Sequence, residues 1–130
     1  NYRMTNVQAA IGVAQLEQLE QFIRIKEENY QRYLSHSIAL LPFRHDIRPN
    51  YWFYSYLSHD RDGLIAYLNE HEIQSRPVWK LIHTQKPYLS CQTYQIEKAT
   101  DYHKQIVNLP CSSNLTPNEV DLVCQHVGGY

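Results

Sequence analysis

The chain opens with a segment whose apolar residues do not keep to one helical face. No charged residue occurs between Arg3 and Glu17. On a helix, Gln8 and Gln15 share a narrow polar stripe, and apolar residues occupy two opposite sides. These are Val7, Ile11 and Ala14 on one side, and Ala9, Val13 and Leu16 on the other. A helix that is apolar on opposite faces is usually buried. We therefore expect half of an interface here, with its other half outside these residues.

After Glu17 the pattern becomes amphipathic and predicts that the same helix continues. Thr5 is a candidate N-cap, and the helix is expected over residues 5–40, ended by Leu41 and Pro42. One side carries Leu16, Leu19, Ile23, Tyr30, Tyr33, Leu34 and Ser37. Some 36 helical residues span roughly 54 Å, which is longer than a compact domain of this size needs. Such a helix is expected to protrude or to connect two domains.

The middle of the chain predicts a strand, a helix and a second strand. The aromatic-rich residues 51–57 are typical of a strand, and Asp60 is a candidate cap for a helix over residues 60–70. Residues 73–78 predict another short strand. This order suggests a right-handed crossover, with the helix on one face of a sheet.

The last third predicts a loop, a helix, a strand and a final helix. The loop covers residues 79–93, the helix residues 94–104 and the strand residues 106–109. Thr116 starts the final helix in a capping-box pattern, with proline first and glutamate third in the helix. Two glycines from Gly128 end it. The predicted fold class is α+β, a long N-terminal helix plus a short sheet flanked by helices.

Composition narrows the class of protein. With 43% apolar and 19% charged residues, the chain resembles a single globular domain. A formal charge of -1 and scattered basic residues favour neither nucleic acid nor membrane as a partner. No apolar stretch reaches the ~18 residues that span a bilayer. The three cysteines form no CxxC pair, which favours reduced thiols and a cytoplasmic location.

The loop after residue 78 is the best candidate for chemistry. Its side chains include Trp79, Lys80, His83, Thr84, Gln85, Lys86 and Tyr88, and Arg76 stands just before it. Arginine and lysine near a histidine suit an anion, and the aromatic residues offer flat surfaces for a ring. Long loops in compact domains are often functional. The alternative is a solvated loop with Trp79 and Tyr88 packed inward as anchors.

Other candidates are weaker. Arg3 after Asn1 and Tyr2 suits a phosphate near a helix N-terminus, or else it pairs with a carboxylate. The seven histidines show no metal-ligand spacing, so no metal site is predicted. None of the five lysines lies in the serine-rich strand-and-turn context of a Schiff-base lysine. We assign no catalytic residue.

Several blocks nevertheless resemble a known family in the correct order along nearly the whole chain. They are residues 1–17, Glu72-Ile-Gln-Ser-Arg-Pro-Val-Trp79, His83-Thr-Gln-Lys-Pro-Tyr88, Asn108-Leu-Pro110 and Leu115-Thr-Pro-Asn-Glu-Val120. They resemble the C-terminal domain of the DegT/DnrJ/EryC1/StrS family, pyridoxal phosphate-dependent aminotransferases that act on nucleotide-linked keto sugars.

The resemblance implies a domain of a larger enzyme. Residues 1–130 would be the small C-terminal domain of a fold-type I aminotransferase, without the large N-terminal domain that holds the catalytic lysine. Residues 1–40 would form the leading helix that packs on that domain. Pyridoxal 5'-phosphate would bind the full-length enzyme, a homodimer, and not this chain alone in stable form.

The resemblance also implies residue roles. Asn1 and Arg3 would lie near the cofactor phosphate of the neighbouring subunit, while Tyr2, His83 and Lys86 would lie on the substrate side. The substrate would be a nucleotide-linked 4-keto-6-deoxy sugar in surface-glycan biosynthesis, with glutamate as amino donor. The Arg-Pro-Val-Trp and His-Thr-Gln-Lys blocks look most like the branch that aminates UDP-4-keto-6-deoxy-N-acetylhexosamines, in bacillosamine or legionaminic acid pathways.

Two alternatives to an aminotransferase domain stay open. In the first, the chain is a non-catalytic binding or dimerisation module that associates through the apolar residues 7–16. In the second, it is part of a sugar dehydratase of the same family. In that dehydratase a histidine replaces the lysine. No residue of this chain separates dehydration from transamination.

Overall fold

The computed structural model describes residues 2–130 and shows an α+β fold, as predicted. The helices are α1 (Asn6–Glu17), α2 (Leu19–Ser35), α3 (Arg61–Glu70), α4 (Glu97–Gln105) and α5 (Pro117–Gly129). The strands are β1 (Tyr54–Leu57), β2 (Arg76–Pro77) and β3 (Ile106–Leu109), and two short 3-10 turns cover Ile82–Thr84 and Lys86–Tyr88. Within residues 2–130 no helix has both the length and the apolar character to cross a bilayer.

The predicted single leading helix is wrong in two respects, the first being a break at Gln18. The backbone of Gln18 has φ -104° and ψ -1°, and its N–H donates to the carbonyl of Gln15 at 3.2 Å. This single residue separates α1 from α2.

The second difference is the end of α2 at Ser35, five residues before the predicted position. Ser37 adopts a left-handed backbone with φ 62°, and its N–H donates to Leu34 O at 3.0 Å. The N–H of Ile38 donates to Tyr33 O at 3.1 Å, and the Ile38 side chain is buried. These are the two bonds of a Schellman motif. The helix therefore ends where burial of Ile38 reverses the chain.

Helix α1 carries its apolar residues in the open. Its start is fixed locally by the predicted cap, because Thr5 and Gln8 form a reciprocal capping box. None of its residues is buried in this chain, and Val7, Ile11 and Leu16 are 70%, 60% and 68% exposed. The interface predicted for both apolar sides stays a prediction.

The sheet has the order β1-β3-β2, and β3 pairs antiparallel with both neighbours. The two strands joined through α3 therefore run parallel to each other, as a crossover requires. They are not neighbours, because β3 arrives later in the chain and inserts between them. The sequence pattern did not predict this insertion.

Two strands are shorter than predicted, for different reasons. β1 begins at Tyr54 because Tyr51 has φ 52°, a left-handed conformation that interrupts an extended chain. β2 is limited to Arg76–Pro77. Before it, Ile73 is used to end α3, since its N–H donates to Leu68 O at 2.8 Å. Pro77 has no N–H for a longer ladder.

Tyrosines of α2 and β1 join the helix to the sheet. The rings of Tyr33 and Tyr54 are fully buried and meet edge-on, with centroids 5.4 Å apart. Tyr33 donates its hydroxyl proton to Pro110 O at 3.0 Å, and Tyr54 donates to Lys26 O at 2.5 Å. Burial raises the pKa of both phenols. Leu64 and Leu68 of α3 are buried in the same core.

An ion pair ties α2 to α5. Arg32 donates to both carboxylate oxygens of Asp121, from Nε at 2.6 Å and from Nη2 at 2.5 Å. The Nε2 atom of His36 lies 2.8 Å from Asp121 Oδ1. The hydrogen bond from Arg32, with a smaller contribution from His36, holds the pKa of Asp121 below its usual range.

We expect Asp121→Asn to lower the melting temperature at pH 7. The melting temperature of this variant should also fall less on acidification than that of the unchanged chain. Because the folded-state pKa of Asp121 is depressed, its stabilisation is complete above the ordinary aspartate value of about 3.9. It is lost as the pH falls through the lower folded-state pKa. The measurement is thermal unfolding between neutral and strongly acidic pH.

The matched control is Asp46→Asn. Asp46 pairs with Arg44 two residues away in an exposed turn, and its pKa is also lowered. Exposed local pairs contribute little, so this variant should melt like the unchanged chain. Equal effects of the two substitutions would contradict a structural role for the interhelical pair.

Helix α1 yields a second prediction. Exposed contiguous apolar surface drives association, so the chain should self-associate in sedimentation equilibrium. Replacing Ile11 and Leu16 by aspartate together should shift it toward monomer without lowering the melting temperature, since neither side chain is buried. Leu89→Asp is the control, because Leu89 is equally exposed, at 67%, but lies in the loop. Association unaffected by the double change would exclude α1 as the contact surface.

Candidate functional site

A cleft of ≈ 510 Å³ opens beside the sheet. Helix α2, the segment before β1, strand β2 and the chain after β3 form its walls. It is lined by Lys26, Trp52, Phe53, Gln74, Arg76, Pro77, Trp79, Asn108, Leu109, Pro110, Cys111, Ser112 and Ser113. No residue of this set is acidic.

The register of the sheet places polar side chains in one row. Asn108 of the central strand is paired with Ser55 on one side and with Arg76 on the other. Its neighbours Val107 and Leu109 are buried, so strand alternation puts Asn108 on the opposite face from the core. Asn108 Oδ1 accepts the hydroxyl proton of Ser55 at 2.9 Å. Asn108 and Arg76 therefore reach the cleft together.

Arg76 differs from most other arginines of the chain. Four arginines form ion pairs with carboxylates, namely Arg32, Arg44, Arg48 and Arg61. Among residues 2–130, Arg76 forms no ion pair, and it is exposed. A guanidinium presents donors in a fixed fork that suits a carboxylate or phosphate. Although the chain carries a net charge of -1, this cleft is cationic and suits an anion.

Three aromatic rings form a contiguous wall. Trp52 and Phe53 are stacked with centroids 5.0 Å apart, and the edge of one ring meets the face of the other between Phe53 and Trp79, also at 5.0 Å. Trp52 and Trp79 lie 5.8 Å apart. Phe53 is half-buried, whereas the two tryptophans are 61% and 65% exposed. Two large aromatic rings are thus exposed to solvent in the same cleft as the Arg76 guanidinium.

A backbone distortion directly precedes this wall. Tyr51 is bulky and buried, yet it adopts φ 52°. Such a conformation costs about 1 to 3 kcal/mol and persists only where packing enforces it. The Tyr51 hydroxyl donates to Glu27 at 2.9 Å and its ring packs on Tyr30, which hold it in place. The distortion interrupts the alternation of the chain just before Trp52 and Phe53, whose adjacent rings then stack.

Lys26 of α2 fixes the floor of the cleft. Its Nζ lies within hydrogen-bond distance of the carbonyl oxygens of Tyr51 at 3.4 Å, Trp52 at 3.5 Å and Cys111. The Cys111 thiol in turn donates to Trp52 O at 3.1 Å. Burial raises the pKa of this thiol, an effect partly offset by the charge of Lys26. One ammonium group on α2 therefore contacts two segments that are distant in sequence, residues 51–52 and Cys111.

Only some of the candidate site residues predicted from sequence lie in the cleft. Arg76 and Trp79 line the cleft, but Tyr2, Arg3, His83 and Lys86 do not. His83 is half-buried and Lys86 exposed, each on its own 3-10 turn, while Tyr2 and Arg3 are exposed ahead of α1. Asn1 lies outside the described residues. The roles of these residues stay predictions.

The alternative for the loop is wrong in its packing, because neither proposed anchor points inward. Trp79 is 65% exposed and Tyr88 is 42% exposed. Three cleft residues also escaped the sequence analysis, namely Lys26, Trp52 and Asn108. The sequence pattern places Lys26 within the long leading helix and Trp52 in a regular strand, and neither position indicates a cleft. The signal for Asn108 was available, since it belongs to the Asn108-Leu-Pro110 block.

Comparison with known proteins identifies the family. Residues 1–128 match the DegT/DnrJ/EryC1/StrS aminotransferase family. The GDP-perosamine synthase of Vibrio cholerae is 33% identical over 141 residues, covering 100% of this chain and 38% of that protein. EpsN of Bacillus subtilis, whose name places it among pyridoxal phosphate-dependent aminotransferases, is 32% identical over 133 residues, covering 92% of this chain and 34% of that protein. The chain belongs to the DegT/DnrJ/EryC1/StrS aminotransferase family.

A solved structure confirms the fold. A DegT/DnrJ/EryC1/StrS aminotransferase from Brucella abortus superposes with a TM-score of 0.89 at 23% identity, covering 98% of this chain and 36% of that one. The α+β class and the family resemblance are therefore confirmed. The chain spans little more than a third of the length of the curated relatives it matches.

The described residues do not by themselves fit pyridoxal phosphate. The cofactor in such enzymes needs a lysine amine that is available for covalent bonding. Four of the five lysines, 80, 86, 98 and 104, are exposed and none of these lines the cleft. Lys26 lines it, but its amine is directed at three carbonyl oxygens. We derive no chemical step through the cofactor from this chain.

We expect borohydride reduction of the chain mixed with pyridoxal phosphate to label no lysine stoichiometrically. The exposed lysines should show only low, evenly spread modification, since none lies in an enclosed pocket. Peptide mass spectrometry measures the extent at each position, and the Lys26→Met variant provides the matched background. Full labelling of one lysine, above all Lys26, would contradict the conclusion that no lysine of this chain alone is available to the cofactor.

Proposed function

We propose that this chain is the smaller, C-terminal lobe of a sugar-nucleotide aminotransferase. In the complete enzyme, a homodimer, it binds and orients a nucleotide-linked 4-keto-6-deoxy sugar. A larger lobe holds pyridoxal phosphate and the lysine that bonds to it. The amino donor is an amino acid, by family analogy glutamate, and the product enters surface-glycan biosynthesis.

The observation that carries this proposal is the cationic cleft. Its lining combines Arg76, Asn108 and exposed tryptophans without a single carboxylate. A diphosphate linked to a nucleoside and a sugar presents two anionic groups, a ring system and many hydroxyls. The guanidinium suits the anion, and the amide and the serine hydroxyls of Ser112 and Ser113 suit the polar groups.

The exposed helix α1 supports the two-lobed arrangement. Its two apolar sides are uncovered in this chain, although its cap and sequence form a regular helix. A larger lobe packed there would remove this apolar surface from water, at roughly 25 cal/mol per Å². The same observation favours a second candidate, a module that dimerises through α1 without catalysis.

The residues assigned through the resemblance complete the proposal. Asn1 and Arg3 lie near the cofactor phosphate of the neighbouring subunit, at the start of the chain. Arg3 is exposed and forms no ion pair with other residues in the described range, which leaves its guanidinium available. Tyr2, His83 and Lys86 contact the substrate from outside the cleft that Arg76 lines.

The nucleotide attached to the sugar is a finer question. The Arg-Pro-Val-Trp block at residues 76–79 supports the UDP-linked branch. The relative from Vibrio cholerae is named for a GDP-linked sugar, and it does not confirm that branch. The proposal is therefore a nucleotide-linked keto sugar, with amination as the reaction.

The test is the kinetics of the complete enzyme that contains this chain. His83→Ala should raise the KM for the sugar nucleotide about tenfold, equivalent to ~1.4 kcal/mol, and leave kcat within about twofold. The reason is that a substrate-side contact affects binding and not the chemical step.

His45→Ala is the matched control, because His45 is exposed in the turn that follows α2 and does not line the cleft. An unchanged KM for His83→Ala would remove His83 from the substrate side. Absence of amino transfer from the complete enzyme, with stable self-association through α1, would favour the dimerisation module.

A further inference from the structure

The chain contains two tryptophans, and both lie in the same cleft. They are Trp52, just before β1, and Trp79, just after β2. A tryptophan on a protein surface usually buries most of its ring, yet these are 61% and 65% exposed. Their exposure is thus a specific feature of the cleft wall, and the anion-binding residues do not require it.

The geometry of the pair decides how it can bind a ring. The centroids are 5.8 Å apart and the planes are inclined by 57°. The two indoles are therefore in direct contact, which leaves no space for a third ring between them. The half-buried ring of Phe53 packs against both indoles, with ring centroids 5.0 Å from each. A planar ligand must lie on their outer faces.

The cation lies close to this surface. Arg76 precedes Trp79 by three residues, so at most about 10 Å of chain separates them. Both line the cleft, and Arg76 is available for an anion. A ligand that carries a flat ring beside a phosphate matches this arrangement, since stacking on aromatic side chains and charge neutralisation act on different parts of one molecule.

We propose that Trp52 and Trp79 form the nucleobase subsite of the cleft, with Arg76 binding the adjacent diphosphate. This inference rests on the proposed function, because it assigns the base of the nucleotide-linked sugar to a particular surface. Aromatic stacking tolerates any base. The subsite therefore provides affinity for the nucleotide portion, while discrimination between sugars lies elsewhere.

The experiment uses the intrinsic fluorescence of the chain, all of whose tryptophans lie in the cleft. GDP and UDP should each quench this emission in a saturable titration, and inorganic pyrophosphate should not. Calorimetry should show both nucleotides binding at least about fivefold more tightly than pyrophosphate, the lower end expected for one stacked base.

Variants separate the ring from the charge. Trp79→Leu and Trp52→Leu should each weaken GDP binding at least about fivefold and leave pyrophosphate binding unchanged. Trp79→Phe should restore part of the affinity because it keeps an aromatic face. Arg76→Gln should weaken both ligands. Tyr94→Ala is the control, since Tyr94 is 77% exposed outside the cleft and should change neither. Circular dichroism confirms that each variant is folded.

Three results would overturn the subsite. The first is nucleotide affinity no greater than that of pyrophosphate, and the second is full GDP affinity in both leucine variants. The third is no quenching at about 10 mM nucleotide, where a ~1 mM site would be nearly filled. None of these depends on amino transfer. The proposed function would still be tested separately by the His83 kinetics of the complete enzyme.

Discussion

The insertion of β3 between β1 and β2 is the constraint on which the rest of the structure depends. β3 follows β2 by about thirty residues and β1 by about fifty, so its two ladders close long loops. The same pairing aligns Asn108 with Arg76 and Ser55 in one row. It also brings the segments that carry Trp52 and Trp79 to one wall. Without this central strand the cleft has neither its cation nor its rings in place.

Helix α2 transmits that constraint to the floor of the cleft. Tyr33 and Tyr54 join the helix to the sheet through buried rings and hydroxyl-to-carbonyl bonds. Lys26, about two turns before Tyr33 on α2, contacts carbonyls at the end of the sheet where β1 begins and β3 ends. The Lys26 ammonium group donates to backbone carbonyl oxygens of these segments. Arg76, at the open side, is exposed and forms no ion pair within residues 2–130. The two cations of the cleft thus differ in their contacts.

The proposed two-lobed arrangement accounts for two incomplete features of this fold. Helix α1 is capped and regular, but it buries none of its side chains within the chain. The cleft has a cationic, aromatic wall but no lysine available for pyridoxal phosphate. Both features suit a lobe that works against a larger partner, since each is complete in local structure and incomplete in burial or chemistry. They are the two places where sequence pattern and stable packing disagree.

The sequence alone determined the elements whose signals are local. The N-cap at Thr5, the capping box at Thr116 and the ordered family blocks depend on residues a few positions apart. The loop chemistry was only half predictable, because Arg76 and Trp79 reach the cleft and His83 and Lys86 do not.

Tertiary structure decided the remainder. The end of α2 depends on burial of Ile38, the start of β1 on a left-handed Tyr51, and the role of Lys26 on carbonyls far along the chain. These outcomes follow from which distant segments pack together. A hydrophobic period measured along one segment carries no information about that.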